Sequence, residues 1–146
     1  MPRLNLDEAR RRLTEARVGY LATTRPDGRP HIVPIVFALD GDDMFSIADP
    51  KPKAGLDLLR HRNIRANPAI SLLVDAYDER WERLWWVRVD GTARVVDEGA
   101  ERDTAIHLLR TKYPQYRTWT TPFGAATLIH VERIASWALE ETDPAD

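Results

Sequence analysis

Residues 18–48 read VGYLATTRPDGRPHIVPIVFALDGDDMFSIA, and this stretch decides the predicted fold. Arg25–Pro30 is typical of a tight turn, because proline presets φ and Asp-Gly supplies a left-handed position. A second turn is predicted at Asp40–Asp42. Three strands are therefore predicted, paired as an antiparallel meander, at 18–24, 31–39 and 44–48. Because Pro34 cannot donate a ladder hydrogen bond, the second strand should lie at an edge or form a bulge.

The rest of the chain contains signals for helices and for further strands. Asn5 can cap a first helix that ends near Arg17, with Glu8 reaching back to the cap. Two further helices are predicted near 56–64 and over 98–113. Further strands are predicted at 69–77, 84–96, 126–131 and 134–139, with Gly91 as a bulge or bend. Six or seven antiparallel strands with two or three helices indicate a mainly β protein, a small β-barrel decorated by helices.

Composition narrows the class of protein. The chain has 146 residues, 43% hydrophobic and 30% charged, which is typical of one globular domain over 1–146 with a loose acidic tail at 140–146. The absence of cysteine excludes disulfide scaffolds, thiol nucleophiles and Cys-based metal sites. No apolar run is long enough to span a membrane, and the charged N-terminus does not resemble a secretory signal, so a cytoplasmic protein is expected.

The segment around Lys51 and Lys53 is the first candidate for a functional site. It links a predicted strand to a predicted helix, and helix N-termini bind anions readily. Residues 49–67 carry five cations, Arg60 among them, against two carboxylates, although the whole chain has a net charge of −2. The pattern is compatible with a phosphate site, although charge alone favours a solvated basic face.

Tryptophans and a strand proline provide the other candidates. Trp85 and Trp86 are adjacent on a predicted strand and should face opposite sides, so one can pack in the core while the other meets a flat ring, a second subunit or solvent. Pro34, next to Val33, frees backbone groups that can hydrogen-bond a heterocycle, or it marks a bulged edge strand without a ligand.

The remaining polar residues form no catalytic pattern. The four histidines lack metal-binding spacing, the serines lie on predicted strands, and no glycine-rich nucleotide motif occurs. No residue is therefore assigned as an acid, base, nucleophile or metal ligand. Such a chain fits a protein whose cofactor supplies the chemistry.

The order of these parts resembles the pyridoxamine-phosphate-oxidase-like family, and more narrowly its actinobacterial branch of coenzyme F420 (deazaflavin)-dependent oxidoreductases. The matching segments cover roughly 5–139 and are 21–30, Asp49–Lys53, Asn63–Ile64 with Asn67–Pro68, and Leu84–Gly91. The second strand lacks the Arg and Lys signature of pyridoxamine-phosphate oxidases, so vitamin B6 phosphate is not the expected substrate.

The resemblance implies a split β-barrel of the FMN-binding type, forming a homodimer with cofactor at the subunit interface. It implies that Lys53, and Lys51 beside it, bind the cofactor phosphate. It also implies that backbone near Val33–Pro34 and Ile47–Ala48 borders the cofactor ring. Trp85 or Trp86 would contact the cofactor or the partner subunit. Arg60 is a further phosphate candidate, on local charge rather than on the motif.

The leading hypothesis is an F420-dependent oxidoreductase that passes a hydride to a small electron-poor or conjugated substrate, with the product protonated by solvent. Three alternatives stay open: an FMN flavoprotein of the same fold, a non-catalytic cofactor or haem carrier, and a nucleic-acid-binding barrel. The net charge of −2 disfavours the last.

Overall fold

The computed structural model describes residues 3–49, 58–120 and 122–139. Within these ranges, the helices α1 to α3 are Leu6–Glu15, Leu59–Ala66 and Ala100–Lys112. The strands β1 to β7 are Gly19–Thr24, Pro30–Ile35, Ala38–Asp40, Asp43–Ile47, Ala69–Ala76, Trp85–Val96 and Ala126–Ala138. Short 3-10 turns lie at Trp81–Arg83 and Pro114–Arg117.

The strands form one antiparallel sheet in the order β2-β1-β5-β6-β7-β4-β3. Its two outer strands, β2 and β3, are separated along the chain only by Val36 and Phe37. Since consecutive Cα atoms are about 3.8 Å apart, the ends of β2 and β3 lie within roughly 11 Å of each other. The sheet therefore curves round on itself, and the predicted mainly β, split-barrel class with seven strands and three helices is confirmed.

The predicted strand over 31–39 is in fact two strands, so the three-strand meander is wrong. β2 pairs with β1 at one edge of the sheet, whereas β3 pairs with β4 at the other edge. The gap between these two edges is the barrel opening. Between them, the amide of Phe37 donates to the Tyr113 hydroxyl at 3.2 Å, and its carbonyl accepts from Lys112 Nζ at 2.9 Å. Side chains from the end of α3 thus replace a neighbouring strand at Phe37 and interrupt the ladder.

The two strands predicted at 126–131 and 134–139 are one long strand, β7. The β6–β7 register shifts between Asp90 and Gly91, which leaves Glu132 as the extra residue on β7. The predicted bulge at Gly91 is confirmed: a Cβ there would lie 2.1 Å from the carbonyl oxygen of His130. The bulge lies at the two consecutive polar residues, Glu132 and Arg133, that interrupt the hydrophobic pattern of β7.

The N-terminus of α1 agrees in part with the sequence. The side chain of Asn5 accepts from the amide of Glu8 at 2.9 Å, as expected of an N-cap. The Glu8 carboxylate does not reach back to the cap. It pairs instead with Arg11 and Arg12 on the next turn, where charged hydrogen bonds are stronger than a neutral one.

Two packed clusters organise the interior. The first fills the barrel with inward-facing side chains that include Leu21, Phe37, Met44, Leu72, Val87, Val89 and Ile129. The second packs α3 and the segment after it against β4, through Phe45, Ile47, Ala105, Leu109, Tyr116 and Phe123. The end of β4 therefore lies beneath an aromatic segment from the C-terminal third of the chain.

Candidate functional site

The candidate site lies where β4 ends and α2 begins. Ile47 and Ala48 are buried there. The amide of Ala48 donates to the carbonyl of Ala125 at 2.9 Å, and the Ala48 carbonyl accepts from Gly124 N at 3.1 Å. The Ala48 N–H is thus already used, so this position offers a ligand an apolar surface and a carbonyl edge rather than a free donor.

Val33 and Pro34 lie on β2, on the other side of the barrel opening. Val33 points inward against the barrel core, while Pro34 is exposed. The side chain of Ser46 on β4 donates to the carbonyl of Val36 at 2.9 Å and links the two sides beyond the β3–β4 ladder. The bond joins the residue that follows β2 to the residue before Ile47, so the end of β2 and the end of β4 approach each other there.

Arg60 lies in the first turn of α2 and is half-buried. Across the described ranges it makes no hydrogen bond or ion pair with another residue. Burial lowers the pKa of its guanidinium, and the negative charge of the Asp49 carboxylate opposes that shift. Because an arginine keeps its proton in proteins, this is a partly desolvated cation, a situation that favours an incoming anion.

An aromatic segment covers this region, and sequence reasoning gave it no role. The ring of Tyr116 lies edge-on to Trp119, with centroids 4.9 Å apart, and to Phe123 at 5.3 Å. Its hydroxyl donates to Asp49 Oδ1 at 3.2 Å. Burial, with the nearby Asp49 carboxylate, raises the pKa of Tyr116. The sequence signal that was available is the density of aromatic residues between 113 and 123.

The paired tryptophans lie elsewhere. As predicted, their rings face opposite sides: Trp85 packs against the barrel core under Arg12, while Trp86 faces outward beside Arg88. Trp85 is the first residue of β6. Ala126 on β7 pairs on one side with the last residue of β6 and on the other side with Ile47, so Ile47 lies level with the far end of β6. β6 has 12 residues, so the two positions are separated by roughly 36 Å along the strand. A single chain does not bring them together.

Trp86 belongs instead to an outward-facing apolar surface. It lines a hollow of about 480 Å³ across strands β2, β1, β5, β6 and β7. We call this surface the outer sheet face and define it by Tyr20, Ile32, Leu73, Trp86 and Trp137. Ile32 is 63% exposed, which is unusual for a large aliphatic side chain on a strand.

Two predicted phosphate ligands, Lys51 and Lys53, lie outside the described residues. In the part of the chain that the structure describes, no group of three or more His, Cys, Asp or Glu side chains is placed to hold a metal ion. The helices in those same ranges are all too short or too polar to cross a bilayer.

Solved structures share this architecture. A conserved hypothetical protein from Mycobacterium tuberculosis matches with a TM-score of 0.74 and 22% identity, covering 92% of this chain and 84% of that one. A FAD-binding protein from Mesorhizobium loti matches with a TM-score of 0.67 and 25% identity, over 92% and 94% of the two chains. The heme storage protein HutZ from Vibrio cholerae matches with a TM-score of 0.67 and 16% identity, over 91% and 93%.

A family model agrees with these likenesses and covers most of the sequence. The model for pyridoxamine 5'-phosphate oxidase matches residues 6–138, which include all the helices and strands described above. By this match and by its split β-barrel, the chain belongs to the pyridoxamine 5'-phosphate oxidase family.

Proposed function

We propose that the protein is a homodimeric oxidoreductase that uses coenzyme F420 and reduces a small electron-poor or conjugated substrate. The observation that carries the proposal is Arg60, a half-buried cation at the start of α2 without an ion pair in the described ranges. The choice of F420 over a flavin rests on the sequence resemblance, because the residues alone would accept the phosphate of either.

Arg60 suits a phosphate in both charge and geometry. A guanidinium has five N–H donors in a fixed fork that matches phosphate oxygens, and a bound anion would offset the cost of its desolvation. Lys51 and Lys53 come a few residues earlier in the sequence and would add two further cations. We assign these three side chains to the cofactor phosphate.

The barrel opening suits the ring system. Val33–Pro34 on one side and Ile47–Ala48 on the other would border the ring with backbone, and all four of these residues have apolar side chains. The bound deazaflavin would supply the hydride chemistry. The chain's own residues would hold the phosphate, orient the ring and exclude water from one side of it.

The distance along β6 supports a dimer. If Trp85 or Trp86 serves the same cofactor as Ile47–Ala48, the tryptophan has to come from a second copy of the chain, because the two lie at opposite ends of β6. The outer sheet face offers an apolar surface of the kind that subunits bury. We therefore place the cofactor between two copies.

A flavin is the second candidate cofactor. The FAD-binding protein from Mesorhizobium loti shares 25% identity over almost the full length of both chains. An FMN flavoprotein of this fold would use the same phosphate cations and the same opening, so the binding preference itself has to be measured.

The test is a fluorescence titration of the purified protein with F420 and, separately, FMN, followed by absorbance titration with haem. We expect saturable F420 binding with FMN weaker. A preference for FMN would mean that the protein is an FMN flavoprotein of the same fold. Binding of haem alone would favour a carrier, and binding of none of the three would refute the cofactor assignment.

Two variants locate the phosphate. Removing a charged hydrogen-bond donor costs about 1.5–3 kcal/mol, so Lys53→Ala and Arg60→Ala should each weaken F420 binding by roughly 10- to 150-fold. Arg29→Ala is the matched control, because Arg29 is a well-exposed arginine in the turn between β1 and β2. Equal affinities for the Arg60 and Arg29 variants would remove Arg60 from the site.

A further inference from the structure

Tyr116 is held rigidly at the edge of the candidate site. Its side chain is 5% exposed and is packed edge-on by Trp119 and Phe123. Tyr113 makes a third edge-on contact, with ring centroids 6.1 Å apart. Because the ring is fixed on these sides, the phenol oxygen has a fixed position. A group that is hydrogen-bonded to this oxygen is therefore restrained as well.

The group that it binds is the Asp49 carboxylate, which is close enough to Arg60 for the two charges to interact. The Tyr116 hydroxyl donates to Asp49 Oδ1 at 3.2 Å, and Asp49 is the carboxylate whose charge acts on the Arg60 guanidinium. Asp49 and Arg60 nevertheless do not form an ion pair in the structure as described. Attraction between unit charges strengthens as water is excluded, so it favours closure of the exposed Asp49 carboxylate on the partly desolvated Arg60 guanidinium.

We propose that Tyr116 is a positioning residue: by holding Asp49, its hydroxyl keeps the Arg60 guanidinium open for the phosphate of the incoming cofactor. This inference rests on the proposed function, since it concerns the same phosphate site. Asp49 is a competitor for the cation, and the hydroxyl restrains that competitor.

The arrangement has a physical advantage for binding. The five donors of Arg60 would otherwise be shared with a carboxylate, and a phosphate would first have to displace it. With Asp49 restrained, its charge still offsets that of Arg60 at longer range, while no side chain of the described ranges hydrogen-bonds the guanidinium fork. The site is thereby organised before the anion arrives.

The predicted effects of two conservative substitutions have opposite signs. Tyr116→Phe keeps the ring but frees Asp49, so the affinity for F420 and for inorganic pyrophosphate should fall about 3- to 10-fold, the range of one ordinary hydrogen bond. Asp49→Asn removes the competitor and should leave that affinity equal or higher. The Tyr116→Phe/Asp49→Asn double variant should bind as tightly as Asp49→Asn alone.

This cycle separates positioning from packing. If the tyrosine hydroxyl served only the local packing, its removal would weaken binding equally in the presence of Asp49 and of asparagine. Such an equal loss would overturn the inference. Asp27→Asn, in the exposed β1–β2 turn, controls for the loss of one carboxylate from the overall charge.

A ligand-free measurement keeps the inference independent of the cofactor. A crystal structure of the Tyr116→Phe variant should show Asp49 within ion-pair distance of Arg60. If the carboxylate stays apart from the guanidinium in that variant, the inference is wrong, whatever the protein binds. Conversely, a closed pair in a protein that binds neither F420 nor pyrophosphate would support the restraint and refute the proposed function.

Discussion

At the scale of the residue, Lys112 has an amine that is partly removed from water. Its Nζ donates to the Phe37 carbonyl and lies 4.3 Å from the centroid of the Phe37 ring. Arg17 lies against the adjacent Tyr113 ring, so two cations share this corner. Burial, with a smaller effect of the Arg17 charge, lowers the pKa of Lys112 from 10.5 to about 8.

This shift predicts a pH dependence of stability. Between pH 8 and 10.5, the unfolded chain holds the Lys112 proton while the folded chain has released it. The free energy of unfolding should therefore rise with pH across this window. Denaturant unfolding from pH 8 to about 9 tests this, because tyrosine in an unfolded chain, with a pKa of about 10, is still largely protonated there.

The control for this prediction is Lys112→Met, which keeps an unbranched side chain but removes the titrating amine. The difference in unfolding free energy between the wild type and the variant should shrink with pH if the methionine variant is the more stable protein, and widen if it is the less stable one. A difference independent of pH would mean that Lys112 titrates at its ordinary pKa.

At the scale of the element, the β6–β7 ribbon depends on Gly91. A Cβ at this position would approach the carbonyl oxygen of His130 to 2.1 Å, and that atom is backbone and cannot rotate away. Gly91→Ala should push the strands apart at the bulge and destabilise the fold by about 1–3 kcal/mol or more. Denaturant unfolding measures the loss.

Thr92→Ala is the matched control, because Thr92 is the next residue on the same strand and its side chain is exposed. A surface substitution of this kind should cost well under 1 kcal/mol. If the alanines at 91 and 92 have the same cost, the close approach of the strands does not limit the size of residue 91.

At the scale of the whole molecule, the prediction concerns assembly. If the outer sheet face is the dimer interface, a charge in it should separate the subunits without unfolding them. Ile32→Glu serves this purpose, since Ile32 is exposed and its side chain does not belong to the barrel core. Sedimentation equilibrium should show a dimer for the wild type, a monomer for the variant, and weaker F420 binding by the monomer.

Leu6→Glu provides the comparison, because Leu6 is an exposed aliphatic residue on α1 that lines a different hollow from the one at the outer sheet face. It should leave the dimer intact. A dimer that survives Ile32→Glu would place the interface on another surface of the barrel.

Local signals in the sequence determined most of the elements. The Asp-Gly turns fixed two chain reversals and Asn5 fixed the start of α1, because each acts through its own backbone or through residues three or four away. Gly91 marked the bulge in the sequence, although the residue that crowds it, His130, lies on a different strand. The alternation of Trp85 and Trp86 across the sheet also follows from strand geometry alone. These features gave the fold class and the family resemblance.

Tertiary structure alone decided the features that depend on distant partners. The strand breaks at Phe37 because the end of α3, 75 residues away, supplies its hydrogen bonds. Asp49 and Tyr116 meet across 67 residues of sequence, and the partial burial of Arg60, which forms no ion pair within the described ranges, depends on how α2 packs against the barrel. Charge and composition predicted a cationic segment, but only the packing of the chain determines which cation is partly buried and which carboxylate interacts with it.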